Sequence, residues 1–490
     1  MSILNKIVKQ SSIYFFGSIF SVVVGFFFKI YLSKKLGAEG LGLYTLGGSI
    51  IGVIGVFLTL GHANGLVKFI SKYKATKEYF KLFSFLNRTV LFNLLTASLF
   101  CFVFVFFPEF ISITVLNKEE LTPYVPFFGL MLFVNSFLVI SDQSIRGFQE
   151  VKQSTFINTL LRLPVKIGLT ILFFSIGYGL SGYILAEVVA AILACFLFFR
   201  LIKKLIDKPF IFNLNFPTIE ESNFAFNSLT TNALLILQRY GDRFLLIIFL
   251  SESELGVYSV ILTIAAFIPL VLISINSIFQ PIISQLFSEN KFKELAHYFQ
   301  LSSRYIFILS FPLITFLLLF SKPILGVFGN DFINGYNLLI FVAIGELLNI
   351  SFGPVGSMLQ MCGMDKKLRN VSILTSIISF ILFFILIKYY GLLGLGIAYI
   401  IGRGFTNICC SLLLQKELKI SIFNKTYVNI LVLYIVLFMI IYSIKSLFVI
   451  SSLYFLFVYL LILYLLFLLI WYVFLGKKDL KELLSIFNDR

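Results

Sequence analysis

The sequence predicts an all-α polytopic membrane protein: about fourteen transmembrane helices, arranged as two parallel six-helix repeats that form two lobes around a central cavity, plus two C-terminal helices. Three observations carry this. Of 490 residues, 59% are hydrophobic and 13% charged, with a mean hydropathy of +1.00. Soluble domains carry about 45–50% apolar and about 25% charged residues, so a soluble enzyme and a disordered chain are both excluded. Apolar runs of spanning length recur from end to end. The chain also repeats itself at a nearly constant offset, a little under half its length.

The runs lie at about 11–33, 41–66, 82–107, 122–146, 154–177, 179–202, 224–250, 255–285, 302–321, 332–361, 370–389, 391–414, 426–447 and 451–475. In a bilayer every backbone amide must be paired internally, which makes such runs helices. They are continuous rather than alternating, which argues against a β-barrel. The first run is too long for a signal peptide and lacks a small-residue cleavage site, so it reads as a retained helix. With the amino terminus inside, the inner segments hold roughly 27 Lys/Arg and the outer loops about 6. The inner set includes Lys68, Lys72, Lys74, Lys77, Lys81, Lys203, Lys204, Lys366, Lys367, Lys477 and Lys478. An even number of spans then places both termini in the cytoplasm. The net charge of +16 is therefore mostly topology and does not point to nucleic acid. Cys101, Cys195, Cys362, Cys409 and Cys410 form no CxxC pair, and two histidines are too few for a His-based metal centre. The loops are too short for a catalytic domain, which puts function within the helices.

The repeat rests on three matches in order. Leu41-Gly42-Leu43-Tyr44 returns as Leu255-Gly256-Val257-Tyr258, Lys152 as Lys366, and Tyr178-Gly179-Leu180-Ser181-Gly182 as Tyr390-Gly391-Leu392-Leu393-Gly394, with Ala186 and Ala398 following. Six spans separate equivalent positions, so both copies have the same orientation, as in transporters with parallel repeats. This divides the chain into an N-lobe (1–208), a C-lobe (209–422) and a final pair of helices with a cytoplasmic tail (423–490).

Ionisable residues at membrane depth cost at least about 2.5–3.5 kcal/mol each and generally have a role. Arg239, Asp242 and Arg243 cluster in the seventh span, with the arginines four apart on one face. Lys29 in the first span is the repeat equivalent of Arg243, so the two suit an anion clamp. Arg162 and Lys166, also four apart, bracket Pro164, which is expected to kink the fifth span. Arg403 completes the cationic set. The plainer readings are that Lys29 snorkels, that Asp142 and Arg146 are interfacial, and that Asp242 only neutralises an arginine. Glu187 and Glu346 are open between ion coupling and pairing with Arg162 or Arg403. His62 reads as a polar break in the second span, and Pro269, Pro312 and Pro354 as bends. Gly47, Gly48, Gly52 and Gly55 read as helix-packing positions.

Leu36-Gly37-Ala38-Glu39-Gly40-Leu41-Gly42-Leu43-Tyr44, Asp242-Arg243 with Leu255-Gly256-Val257-Tyr258, and Phe328-Gly329-Asn330-Asp331-Phe332 resemble the bacterial polysaccharide (O-antigen, Wzx-type) flippases of the multidrug/oligosaccharidyl-lipid/polysaccharide exporter superfamily. The resemblance covers nearly the whole chain. It implies a two-lobed transporter, not an enzyme, that moves undecaprenyl-diphosphate-linked oligosaccharide across the bacterial cytoplasmic membrane by alternating access. It further implies that the first and seventh spans line the cavity. Expected partners are the lipid-linked substrate, membrane lipids and polysaccharide assembly proteins. No cofactor is expected; proton or sodium coupling through Asp242, Glu187 or Glu346 stays open. Related drug exporters commonly carry a carboxylate in the first span, whereas here that span carries Lys29. This favours an anionic substrate over a drug/cation antiporter. A lipid-linked peptidoglycan precursor is a second alternative, and a membrane polymerase or glycosyltransferase is disfavoured by the short loops.

Overall fold

The structure is a computed structural model that describes residues 3–206, 214–443 and 453–472, with side chains described except at 3–16, 18, 230–242, 244, 277–278 and 453. Helix α1 (Ile3–Leu58) counts 56 residues. At about 1.5 Å per residue that is far longer than the roughly 30 Å hydrocarbon core. Gly37 resolves the mismatch with φ 67° and ψ −175°, torsions that need the freedom of glycine, and it splits α1 into two arms. Leu60 (φ 46°) and Gly61 (φ 79°) then separate α1 from α2 (His62–Ala75). The expected break is thus made by this left-handed pair and not by His62, whose ring Nδ1 sits 3.2 Å from the Thr59 carbonyl.

Helix α3 (Tyr79–Phe106) leads through a π-helical turn (Phe110–Val115) and a 3-10 turn (Glu119–Tyr124) to α4 (Val125–Gly147). The next span is composite: α5 (Val151–Thr155), a π-helical turn (Phe156–Leu161) and α6 (Arg162–Ser175). Pro164 has no N–H for the carbonyl one turn back, and the helix answers by widening to a π-turn ahead of it. Helix α7 (Gly179–Leu205) follows. Helix α8 (Ile219–Phe249) opens on a capping box. Glu221 N–H donates to Thr218 Oγ1 at 3.2 Å, and Thr218 N–H donates to the Glu221 carboxylate at 2.9 Å.

Helix α9 (Glu252–Ala265) meets the start of α10 (Ile268–Ser288) at a bend of 41°, with Pro269 in the first turn of α10. Helix α11 (Phe292–Gly326) contains Pro312, yet its non-helical residue is Phe320, three before Pro323. The bend expected at Pro312 is therefore absent from the backbone torsions there. Pro354 lies between α12 (Tyr336–Ser351) and α13 (Val355–Met361). Helix α14 (Asp365–Leu418) is broken at Gly391 (φ 55°, ψ −134°), and α15 (Lys425–Ser443) and α16 (Leu453–Trp471) complete the described chain. Ten helices among the described residues are long and apolar enough to span, or eleven with the bent pair. The second arms of α1 and α14, together with α8, account for the remaining predicted runs.

The repeat is visible in the backbone. Gly179 (φ 52°) and Gly391 (φ 55°) are equivalent in sequence and equally left-handed. Of the second-span glycines, Gly47 does serve close packing, since a Cβ there would lie 2.2 Å from the Phe128 ring. Gly48 and Gly55 face open space, so the packing role expected for them is not found.

Two compact units result, Met1–Ser259 and Val260–Arg490. In the first, α4 packs against α3 and α7, α6 against α7, and α8 lies along α1 and α2. The first unit thus takes in α8 as well as the six spans of the N-terminal repeat. In the second, α11 packs against α10, α12 and α16, and α14 against α12 and α13.

Candidate functional site

In the first unit the intramembrane charges gather around Glu187, which is 8% exposed. It lies eight residues into α7, about 12 Å along the helix. Lys166 on α6 donates to one carboxylate oxygen at 2.7 Å, and Arg162, one turn earlier, donates to the other at 3.3 Å. The Arg162 guanidinium also reaches Asn135 on α4 at 3.1 Å. The Tyr44 hydroxyl, from the second arm of α1, donates to Glu187 at 2.5 Å. Tyr183, one turn before Glu187, places its ring 4.5 Å from that of Tyr44 and 4.6 Å from the Lys166 ammonium, within cation–π range.

Two cations thus share one carboxylate, and the cluster keeps a surplus of positive charge. Lys29 on the first arm of α1 lies within electrostatic reach of Lys166 and Arg243. The sequence pattern related Lys29 to Arg243; the structure adds Lys166 as a neighbour of Lys29. Arg239 and Asp242 lie outside the residues whose side chains are described.

The second unit has its own carboxylate centre. Glu346 on α12, 2% exposed, accepts from the Tyr399 hydroxyl at 2.5 Å, from Asn349 at 3.0 Å and from Arg403 at 3.1 Å. Arg403 is about half exposed and also reaches the Tyr399 hydroxyl. Glu187 is therefore joined to Arg162 and Lys166, and Glu346 to Arg403. Asp142 binds Arg146 at 2.9 Å and accepts from Ser154 and from Asn158, the latter at 2.8 Å. That ties α4 to the start of the composite span.

The sequence reading missed the polar partners: Tyr44, Tyr183, Tyr399, Asn135 and Asn349. One signal was present, since Asn135 and Asn349 occupy equivalent places in the repeat, and each contacts the basic or acidic member of its centre. The reading also missed a buried pair at the start of α8. Glu221, 3% exposed, binds Arg88 of α3 at 2.5 Å and accepts from the Tyr73 hydroxyl at 2.7 Å; Arg88 also donates to the Asn215 carbonyl. Burial and then the Glu221 contact hold the Tyr73 phenol above its ordinary pKa. Beside it, the exposed Glu220 bridges Lys72 at 2.6 Å and Lys68 at 3.0 Å, and hydrogen bonds from those lysines hold its carboxyl below the ordinary value.

These neighbours predict a sharp contrast. Glu221→Ala leaves the Arg88 guanidinium buried without its counter-ion, a loss of about 3–5 kcal/mol, and should lower the thermal unfolding temperature in detergent. Glu220→Ala removes a solvent-screened bridge and should leave that temperature unchanged. Equal effects would show that burial does not rank these pairs.

At the other end of α8, Lys118 binds Glu252 at 2.8 Å and donates to the Leu250 carbonyl at 3.0 Å. Glu254 accepts from the backbone and hydroxyl of Ser251, both at 3.0 Å. Both carboxylates are thus engaged in structural contacts. Nearby, Gly42 and Gly256 are pressed onto opposing backbone. A Cβ on Gly42 would lie 1.7 Å from the Glu252 carbonyl oxygen, and one on Gly256 would lie 1.8 Å from that of Ala38.

The chain is similar to known proteins in sequence and in fold. The family model described as "Polysaccharide biosynthesis protein" matches residues 7–287, and the MatE model matches residues 230–385. The probable low-salt glycan biosynthesis flippase Agl15 of Haloferax volcanii is 21% identical over 385 residues, covering 78% of each chain. Among solved structures, the lipid II flippase MurJ in an inward closed conformation superposes with a TM-score of 0.73 at 16% identity, over 94% of this chain and 98% of that one. An inward-facing multidrug resistance MATE family transporter gives 0.65 at 15% identity, over 82% and 94%. The chain, with a family match across more than half its length, belongs to the polysaccharide biosynthesis protein family and is a flippase of the multidrug/oligosaccharidyl-lipid/polysaccharide exporter superfamily.

Proposed function

We propose that the protein carries an undecaprenyl-diphosphate-linked oligosaccharide, the repeat unit of a polysaccharide, from the inner to the outer leaflet of the bacterial cytoplasmic membrane by alternating access. The observation that carries this is the cationic cluster of the first unit: Arg162 and Lys166 share Glu187 as their carboxylate, with Lys29 and Arg243 close by. Guanidinium and ammonium donors suit a diphosphate, and arginine in particular offers a planar fork to its oxygens. A cluster of that sign repels the small cations that a drug antiporter would carry. The Agl15 relative is named a glycan biosynthesis flippase, which agrees with a glycan substrate. In this reading both termini are cytoplasmic, the lobes are 1–208 and 209–422, polysaccharide assembly proteins take up the product, and no cofactor takes part. Glu187, Glu346 and Asp242 are the candidates for proton or sodium coupling.

The test is reconstitution into liposomes with an undecaprenyl-diphosphate oligosaccharide whose sugar carries a quenchable fluorophore. Wild-type protein should carry the label to the opposite leaflet. Lys29→Ala and the pair Arg162→Ala with Lys166→Ala should each slow it by about tenfold or more, the order expected for losing a charged hydrogen bond. Parallel liposomes with lipid-linked peptidoglycan precursor or with a small organic cation separate the competing substrates. No transfer by wild type, or unchanged rates in the variants at matched protein, would reject the proposal.

A further inference from the structure

In the first unit the composite fifth span and the end of α7 form an open groove of about 550 Å³, and none of its lining residues belongs to the Glu187 cluster. Its floor is apolar, with Phe156, Leu197 and Leu201, and its rim carries Lys152, Arg200 and Lys204. Arg200 and Lys204 are one turn apart on α7 and so share a face, and Lys152 meets them from α5. All three are exposed, and no Asp or Glu lines the groove. The π-turn at Phe156–Leu161 puts an extra residue into the wall. Along α7 the surface is greasy: Ile192, Leu193, Phe196 and Phe199 are 47–63% exposed, as side chains facing acyl chains would be. The Arg200 guanidinium rests over the Phe196 ring at 5.3 Å.

We infer that this groove is a binding site for an anionic phospholipid of the inner leaflet. Its phosphodiester sits among Lys152, Arg200 and Lys204, and one acyl chain lies along Phe156, Leu197 and Leu201. Charge complementarity and an apolar floor opening onto lipid-exposed surface both select this occupant, and basic pockets between helices on the cytoplasmic side hold such headgroups. The inner-leaflet assignment rests on the proposed orientation, in which the basic helix ends face the cytoplasm. The lipid would brace the π-turn that leads into Arg162, linking leaflet composition to the placement of the transport cations.

Native mass spectrometry of the full chain in detergent tests this without any transport assay. Phosphatidylglycerol should be retained where phosphatidylcholine is not. The triple variant Lys152→Gln, Arg200→Gln, Lys204→Gln should lose retention, by about fivefold for each cation removed. The variant Lys152→Arg with Lys204→Arg should keep it, which separates charge loss from misfolding. Equal retention of both lipids, undiminished retention by the triple variant, or displacement of phosphatidylglycerol by stoichiometric undecaprenyl diphosphate would overturn the assignment. Failure of the flippase proposal would leave these binding results unaffected.

Discussion

Replacing Glu187 with alanine is expected to be the most damaging single change in the first unit. The carboxylate accepts from Lys166, Arg162 and Tyr44 and is almost inaccessible. Its removal leaves two cations close together in a low-dielectric setting with no counter-charge. Breaking a buried pair by deleting one partner costs about 3–5 kcal/mol, and here one deletion strands two partners. Folded protein in the membrane should fall steeply, and the thermal unfolding temperature of what remains should drop. Unfolding can be followed with a thiol-reactive dye, since Cys195 lies on the same helix as Glu187 and is a free thiol. The double variant Glu187→Gln with Lys166→Met lowers the stranded charge and should recover part of the lost stability while staying inactive in lipid transfer. If Glu187→Ala accumulated and unfolded like wild type, the carboxylate would not be the hub of this cluster.

The second large effect is expected at Gly42 and Gly256. Overpacking normally costs about 1–3 kcal/mol because side chains can turn away. Here the obstacle is a backbone carbonyl less than 2 Å from the new Cβ, so the second arm of α1 and the start of α9 must separate. Alanine at either position should already produce most of the loss, and valine should add little. Both unfolding temperature and transfer rate should fall. Gly48→Ala, whose Cβ meets nothing within 4 Å, is the matched control and should be silent. Wild-type behaviour of both Gly42→Ala and Gly256→Ala would show that the helices are not held at this separation.

The membrane helices are legible in the sequence because hydropathy reports the solvent around a segment, and lipid imposes one answer on long apolar runs. Where those runs bend is legible only in part. Pro164 and Pro269 coincide with a π-turn and a helix junction, whereas Pro312 leaves the α11 torsions helical. A proline's effect depends on whether neighbouring helices can accommodate the freed carbonyl, which no local pattern records. The charged members of the two centres can also be picked out, since Lys, Arg and Glu are conspicuous in apolar runs. Their pairing cannot. Arg162 and Glu187 sit on different helices, and Glu346 and Arg403 are farther apart still along the chain. Only the packing of α6 on α7 and of α12 on α14 brings them together. Tyrosine and asparagine escape notice because they carry no charge and so do not stand out as Lys, Arg and Glu do. Arg88 and Glu221 escape for a different reason, lying at span ends, where charge is expected to be solvated.

Ala38 meets Gly256, and Glu252 meets Gly42. Glu252 is the repeat equivalent of Ala38, and Gly256 that of Gly42, at one and the same offset. That reciprocity is the signature of an isologous interface, in which one patch meets its own copy across a two-fold axis. It normally joins two chains. Here both copies of the patch belong to one polypeptide and lie within one compact unit. The covalent connection holds the two patches at a high effective concentration, so their contact does not depend on dilution. It is also free to diverge, because a substitution now alters one side of the axis at a time.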